Sequence, residues 1–219
     1  MSTTTREIKV YQGLMGDNEV WAAKIRQVLA EHRILMLNLI GAPGSGKTAL
    51  LESMVPFLRD RVRYAVLEGD VETTNDAQRL DALGVPVSQL LSGGSCHLEA
   101  KLVHRALLDF PVADLDLVVV ENVGNMVCPA EFDIGEHAKI AVTSVTEGED
   151  KPLKYPLLFR EAKAVVITKT DLLPHLQYDL RACRANVAAV HAGIPVFEVS
   201  ARTGAGVEAF ATWVMDQAK

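Results

Sequence analysis

The stretch "ILMLNLIGAPGSGKTALL", residues 34–51, constrains the fold of this chain more than any other. An apolar run ends in a loop of the form G-x-x-x-x-G-K-[ST], from Gly41 through Gly46 to Lys47 and Thr48, and an amphipathic segment follows at once. In that order, strand, turn and helix bring backbone N–H groups together around an anion. The glycines let the backbone turn inward, and the helix N-terminus adds the positive end of its dipole. Gly44, Ser45, Gly46, Lys47, Thr48 and Ala49 are therefore the expected cradle for the phosphates of a nucleotide. Lys47 would set a cation between the β- and γ-phosphates as a catalytic group, and the Thr48 hydroxyl is a hard oxygen ligand for Mg²⁺.

Short apolar runs recur along the chain at Tyr64–Leu67, Leu117–Val120, Ile140–Val145, Ala164–Thr168 and Val196–Val199. Several are apolar on consecutive rather than alternate residues, as in a strand covered on both faces. Amphipathic segments lie between them, at about Lys47–Arg59, Asn75–Leu83, Cys96–Phe110, Leu176–Ala192 and Val207–Gln217. The alternation predicts an α/β, doubly wound, mostly parallel sheet with helices on both faces, the P-loop NTPase architecture. Residues 1–33 read as an N-terminal extension. Its helix, "GDNEVWAAKIRQVLAEHR", is capped by Asp17 or Asn18 and packs Trp21, Ile25, Val28 and Leu29 on the domain. Residues 34–219 are the nucleotide-binding domain, and no Pro/Gly/Ser-rich linker divides the whole.

The formal net charge of −6 argues against nucleic acid or an anionic membrane as partner. No apolar run is long enough to cross a bilayer, and none resembles a signal peptide. Three scattered cysteines are too few for a disulfide framework, which makes a reducing cytoplasm the expected location.

Magnesium also requires carboxylates at strand ends. "AVLEGDVETTND" offers Glu68 and Asp70, and "LVVVENVGN" puts Glu121 where a Walker-B acid belongs. Thr48, Asp70 and Glu121 are the expected magnesium set, with Asp70 alternatively orienting the attacking water as a catalytic residue. The base is addressed by "VVITKTDLL". The Asp171 carboxylate can accept from N1–H and the exocyclic amine of guanine, and would be left unpaired against adenine. Lys169 would lay its aliphatic stem over the base. "FEVSARTGAG" resembles the loop of GTP-binding proteins that contacts the guanine oxygen, which points to Ser200 and Ala201. Thr168 stands where such proteins usually carry asparagine and keeps a hydroxyl to brace the loop.

"LSGGSCHLEA" places Cys96 beside His97 at the apparent mouth of a helix, where the dipole would favour a thiolate. Cys128 follows the Glu121 strand, and in a doubly wound sheet both loops leave the same edge. Two thiolates and an imidazole suit Ni²⁺ or Zn²⁺ but leave a tetrahedral site one ligand short. Cys183, at helical spacing with Leu180 and Val187, reads instead as a buried hydrophobe, and His104 as a surface or outer-sphere histidine.

In this order "GAPGSGKT", "EGD", "GGSCH", "ENVGNMVCPAEFD" and "TKTD" resemble the HypB family of hydrogenase maturation GTPases, of the SIMIBI class, over nearly the whole length. The resemblance implies a GTPase that dimerises with its nucleotide and helps load nickel into [NiFe]-hydrogenase. It further implies that Cys96, His97 and Cys128 are the metal site near the dimer interface, and that the partners are a HypA-like nickel metallochaperone and the hydrogenase large subunit. The first 40 residues hold no cysteine and only His32, unlike members with a cysteine- or histidine-rich nickel motif. The urease maturation GTPases would show Cys-Pro-His where this chain has Cys128-Pro129-Ala130. Two rival readings are a metal-binding dimer scaffold that uses GTP only as a switch, and an ATP-dependent small-molecule kinase. The segment "TEGEDKPLKYP" reads as a mobile element beside the site.

Overall fold

The computed structural model describes residues 4–70 and 75–218, with side chains from residue 17 onward. Helix α1 (Thr4–His32) precedes strand β1 (Leu35–Gly41), and α2 (Lys47–Leu58) leads to β2 (Tyr64–Asp70). Then come α3 (Asn75–Ala82), β3 (Val87–Leu91), α4 (Ala100–Leu107), β4 (Leu117–Glu121) and the single turn α5 (Cys128–Glu131). The second half contains β5 (Ala138–Ser144), α6 (Lys151–Lys154), α7 (Pro156–Glu161), β6 (Ala162–Thr168), α8 (Leu180–Val190), β7 (Val196–Glu198) and α9 (Val207–Gln217). The seven strands form one sheet in the order β3-β2-β4-β1-β5-β6-β7, and every ladder is parallel.

The continuous apolar runs are explained by the two covered faces. Successive side chains of a strand point to opposite sides, so Leu37 and Leu39 pack with Leu50, Met54 and Leu58 of α2 and Phe210 of α9. Met36 points the other way, into a layer with Ile25 and Leu29 of α1 and Val103 of α4. All eight of these strand and α1/α2 residues are essentially inaccessible. Because the strands run parallel, their C-terminal ends and the loops leaving them share one edge, the edge where ligands meet such sheets.

Two expectations are corrected, and further elements appear that the sequence reading did not place. Helix α1 begins at Thr4, so Asp17 and Asn18 lie within it rather than capping it; the Asn18 amide is used elsewhere, as described below. Helix α4 starts at Ala100 with Glu99 as its N-cap, so Cys96 precedes the helix and the dipole does not act on it directly. Edge strand β3 carries Ser88 and Gln89 and was hidden by its polarity. "TEGEDKPLKYP" runs into two short helices, with Pro152 and Pro156 in their first turns, where a missing N–H costs nothing. Among the described residues no helix is long and apolar enough to cross a membrane.

Candidate nucleotide and metal sites

The loop between β1 and α2 closes on its own backbone. Gly46 has φ 89° and forms the N-cap of α2, and the Lys47 ammonium lies 3.4 Å from the Gly41 carbonyl oxygen. Burial pulls the Lys47 ammonium below its usual range, against the pull of Glu121 and Asp76. The Thr48 hydroxyl donates to Glu121 Oε1 at 2.8 Å. These groups border a cavity of about 520 Å³ together with Glu68, Asp70 and Asp76. Its volume is within the range of small-molecule sites.

Carboxylates crowd this cavity. Oxygens of Glu68, Asp76 and Glu121 lie within 4.8 Å of one another. Burial, then the neighbouring Glu121, pushes the Glu68 carboxyl up to about 8, although Gln89 Nε2 donates to it. Burial likewise raises Glu121 to about 7 against the opposing charge of Lys47, and its second oxygen is buried without a partner. Oxygen donors in surplus, one of them orphaned, are the chemistry of a hard divalent cation site. The residues fit Mg²⁺. Of the expected set Thr48 and Glu121 touch each other, while Asp70 ends β2 on the cavity wall. Asp76 was not singled out from sequence. Its signal was an acidic residue in the first turn of a helix, held there by Arg79 at 2.8 Å, which in turn pairs with Glu52 at 2.6 Å.

A second cavity of about 290 Å³ opens beside the loop, walled by Ala49, Leu50, Lys169, Asp171, Leu172 and Ala201. Lys169 adopts a left-handed conformation with φ 59° and donates from Nζ to the Gly44 carbonyl oxygen at 2.7 Å, so its stem bridges the two cavities. Thr168 supplies the brace expected of it: its hydroxyl lies 2.5 Å from the Ser45 carbonyl oxygen and 3.2 Å from that of Thr143. Ser200 braces the loop. Its hydroxyl donates to Asp171 Oδ1 at 2.7 Å and its N–H donates to the Ala205 carbonyl, leaving Ala201 as the member of the pair on the cavity wall. Arg202, not singled out from sequence, also lines it.

The Cys/His cluster lies at the same sheet edge. Cys96 Sγ is 2.9 Å from Cys128 Sγ and 3.6 Å from His97 Nδ1, and the three candidate ligand atoms lie within 4.8 Å of one another. Both cysteines are free. A tight turn presents the first pair: Gly93 and Gly94 take φ 61° and 89°, conformations that only glycine adopts cheaply, and Ser92 Oγ donates to the Ser95 carbonyl at 2.8 Å. Phe132 stacks on the His97 ring at 3.7 Å, and burial lowers the His97 pKa, favouring the neutral, ligating form. Cys183 is fully buried, as expected of a core thiol, and His104 packs against Trp21.

The two sites share a segment. Between Glu121 and Cys128, Gly124 lies so close to the phosphate loop that a Cβ there would stand 2.7–3.0 Å from Pro43. Asn125 bridges Gly41 and donates from Nδ2 to the Cys96 carbonyl oxygen at 3.0 Å.

The CobW/HypB/UreG nucleotide-binding domain matches residues 35–198. The hydrogenase maturation factor HypB of Azotobacter vinelandii is 45% identical over 213 residues, covering 97% of this chain and 70% of that protein. This chain belongs to the HypB family. Solved structures agree. HypB from Helicobacter pylori in complex with nickel superimposes with a TM-score of 0.87 at 33% identity, over 92% of this chain and 95% of that one. HypB from Archaeoglobus fulgidus gives 0.87 at 32% identity, over 93% and 100%. The chain is thus a HypB-type maturation factor with a P-loop nucleotide-binding fold.

Proposed function

We propose that the protein is a GTP-hydrolysing metallochaperone that holds nickel at Cys96, His97 and Cys128 and releases it toward a hydrogenase as its nucleotide is turned over. The observation that carries this is the shared segment: one stretch of chain runs from Glu121, beside Thr48, to the ligand Cys128, and touches the phosphate loop on the way. The nickel-bound Helicobacter pylori relative supports nickel as the cargo, while the ligand set alone would also accept zinc.

Lys47 would place its charge on the β- and γ-phosphates, and Gly44–Ala49 would cradle them with backbone N–H groups. Asp171, braced by Ser200, would accept from the guanine edge, with Lys169 over the base and Ala201 at its oxygen. Thr48 and Glu121, with Asp70 beside them, would hold Mg²⁺, which supplies charge neutralisation on the phosphate oxygens. Asp70 would orient the attacking water. Any difference in how the Glu121–Cys128 segment sits with GTP and with GDP then changes the distance between Cys96 and Cys128. About 1–3 kcal/mol of coupling, roughly 5- to 150-fold in metal affinity, is sufficient for a switch.

Leu91 and Val127 stand half exposed on the two segments that carry the ligands. They suit a second copy of the chain, which would complete the three-ligand site and place HypA-like and hydrogenase partners at this edge. The test measures nickel and zinc affinity with GDP and with a non-hydrolysable GTP analogue, while light scattering follows the mass and phosphate release is assayed with Mg²⁺. Metal affinity and mass that both change with nucleotide, together with Mg²⁺-dependent turnover, are the expected result. Nucleotide-dependent mass without turnover would leave only a scaffold switched by GTP, and preference for ATP would leave a kinase-like reading.

A further inference from the structure

The matched domain begins at residue 35, yet α1, which precedes it, reaches both metal-bearing segments. Asn18, half-buried on α1, donates from Nδ2 to the Asp133 carbonyl oxygen at 2.7 Å and accepts at Oδ1 from the Ala100 N–H at 3.0 Å. Ala100 follows Cys96 and His97 at the start of α4; Asp133 follows Cys128 and the Phe132 ring that stacks on His97. One side-chain amide therefore spans the two pieces of chain whose meeting makes the ligand cluster, and it satisfies one of the otherwise unpaired N–H groups of the α4 terminus.

The surroundings fix this amide in place. Arg26, two turns further along α1, forms paired 2.9 Å bonds to the Asp133 carboxylate. Gly135 lies so close to α1 that a Cβ there would stand 2.8 Å from the Ala22 carbonyl oxygen and from Ile25 Cβ. On the other side Leu98, directly after His97, is fully buried in the same apolar layer as Ala22, Ile25 and Leu29.

We propose that Asn18 is a positioning residue of the metal site, its side-chain amide setting the separation between the Cys96–His97 segment and the Cys128 segment. The proposal rests on the reading of those three residues as metal ligands. Groups hydrogen-bonded to metal ligands typically contribute ten- to a hundredfold in affinity; Asn18 acts one step further out, through the backbone of the segments that carry the ligands. Asn18 acts on two ligand-bearing segments at once.

The experiment uses the full chain and nickel alone. Asn18→Ala removes both bonds, and Asn18→Asp keeps the acceptor for the Ala100 N–H while losing the donor to Asp133. Nickel affinity by competition titration and the thiolate-to-nickel charge-transfer absorption are read beside GDP affinity and the thermal midpoint. Asn18→Ala should weaken nickel binding roughly tenfold and change the charge-transfer band, Asn18→Asp should lie between it and the unmutated chain, and GDP affinity should stay the same. Unchanged nickel affinity and band in Asn18→Ala would overturn the clamp while leaving the site intact. An equal loss of GDP affinity would also overturn it, by showing a general disturbance of the fold. If the unmutated chain shows no thiolate band and Cys96→Ala binds nickel equally well, the ligand reading falls and the clamp with it.

Discussion

The carboxylates around Thr48 make the folded chain's stability depend on pH in a direction that can be worked out. Glu68 is nearly inaccessible and its carboxyl is raised from 4.5 to about 8 by burial and by Glu121, itself raised to about 7. Between those values the folded chain holds more protons than the unfolded one, so this pair stabilises fully below about pH 4.5 and progressively less as the pH rises toward about 8. A tenfold change in acidity is worth about 1.4 kcal/mol. Allowing for an effective interior dielectric near 20 and for relaxation shared between the two carboxyls, Glu68 should account for on the order of 2–3 kcal/mol across that window. Glu68→Gln removes the titration while keeping the shape and a polar end for Gln89. Urea unfolding in the presence of a chelator, at about pH 4 and about pH 8, should show the variant matching the parent at the lower pH and exceeding it by that amount at the higher. The comparison must be between the two proteins, because His97, His104 and His137 are all lowered by burial and pull stability the other way near neutrality. Adding Mg²⁺ should flatten the parent's slope by stabilising the ionised carboxylates. A variant less stable than the parent at the higher pH, or a parent with no slope of its own relative to the variant, would refute the electrostatic account and with it this part of the magnesium argument.

Cys96→Ala should abolish stoichiometric nickel binding while leaving GTP affinity nearly unchanged, since the thiol lies outside the nucleotide cavities; equilibrium dialysis beside a fluorescent-GDP titration reads both. Asp171→Asn exchanges an acceptor for a donor at the guanine edge, and GTP affinity should fall roughly 100-fold or more by the same titration. Thr168→Val strips the hydroxyl that braces both Ser45 and Thr143. It should cost about 1–3 kcal/mol in chemical unfolding and weaken nucleotide binding through the looser phosphate loop.

The central strands and the phosphate loop were legible because their signals are local. A strand buried on both faces is apolar at every position, and the glycine-rich loop needs its residues at fixed spacing. The convergence of Cys96 and Cys128 was legible one level up, since loops that follow parallel strands must leave the same edge. The misreadings have a common physical origin, which is that a partner distant in sequence decides a local choice. Strand β3 went unidentified because Ser88 and Gln89 break its apolar run, yet a sheet edge tolerates polar residues and Gln89 spends its amide on Glu68. Asn18 resembled a cap because it stands before a periodic apolar run. Its helix continues back to Thr4, which leaves the amide available to Ala100 and Asp133, 82 and 115 residues away. Among Glu68, Asp70 and Asp76 nothing local distinguishes the acids that come within reach of Glu121; the start of α3 at Asn75 was legible, but that its first turn brings Asp76 toward Glu121 was not. The helices at "TEGEDKPLKYP" were not anticipated, although proline in a first turn is a helix start and both prolines serve as that here. The candidate site's reactive residues could therefore be named from the sequence, and the groups that hold them apart could not, because an orienting hydrogen bond constrains the sequence only at its two widely separated ends.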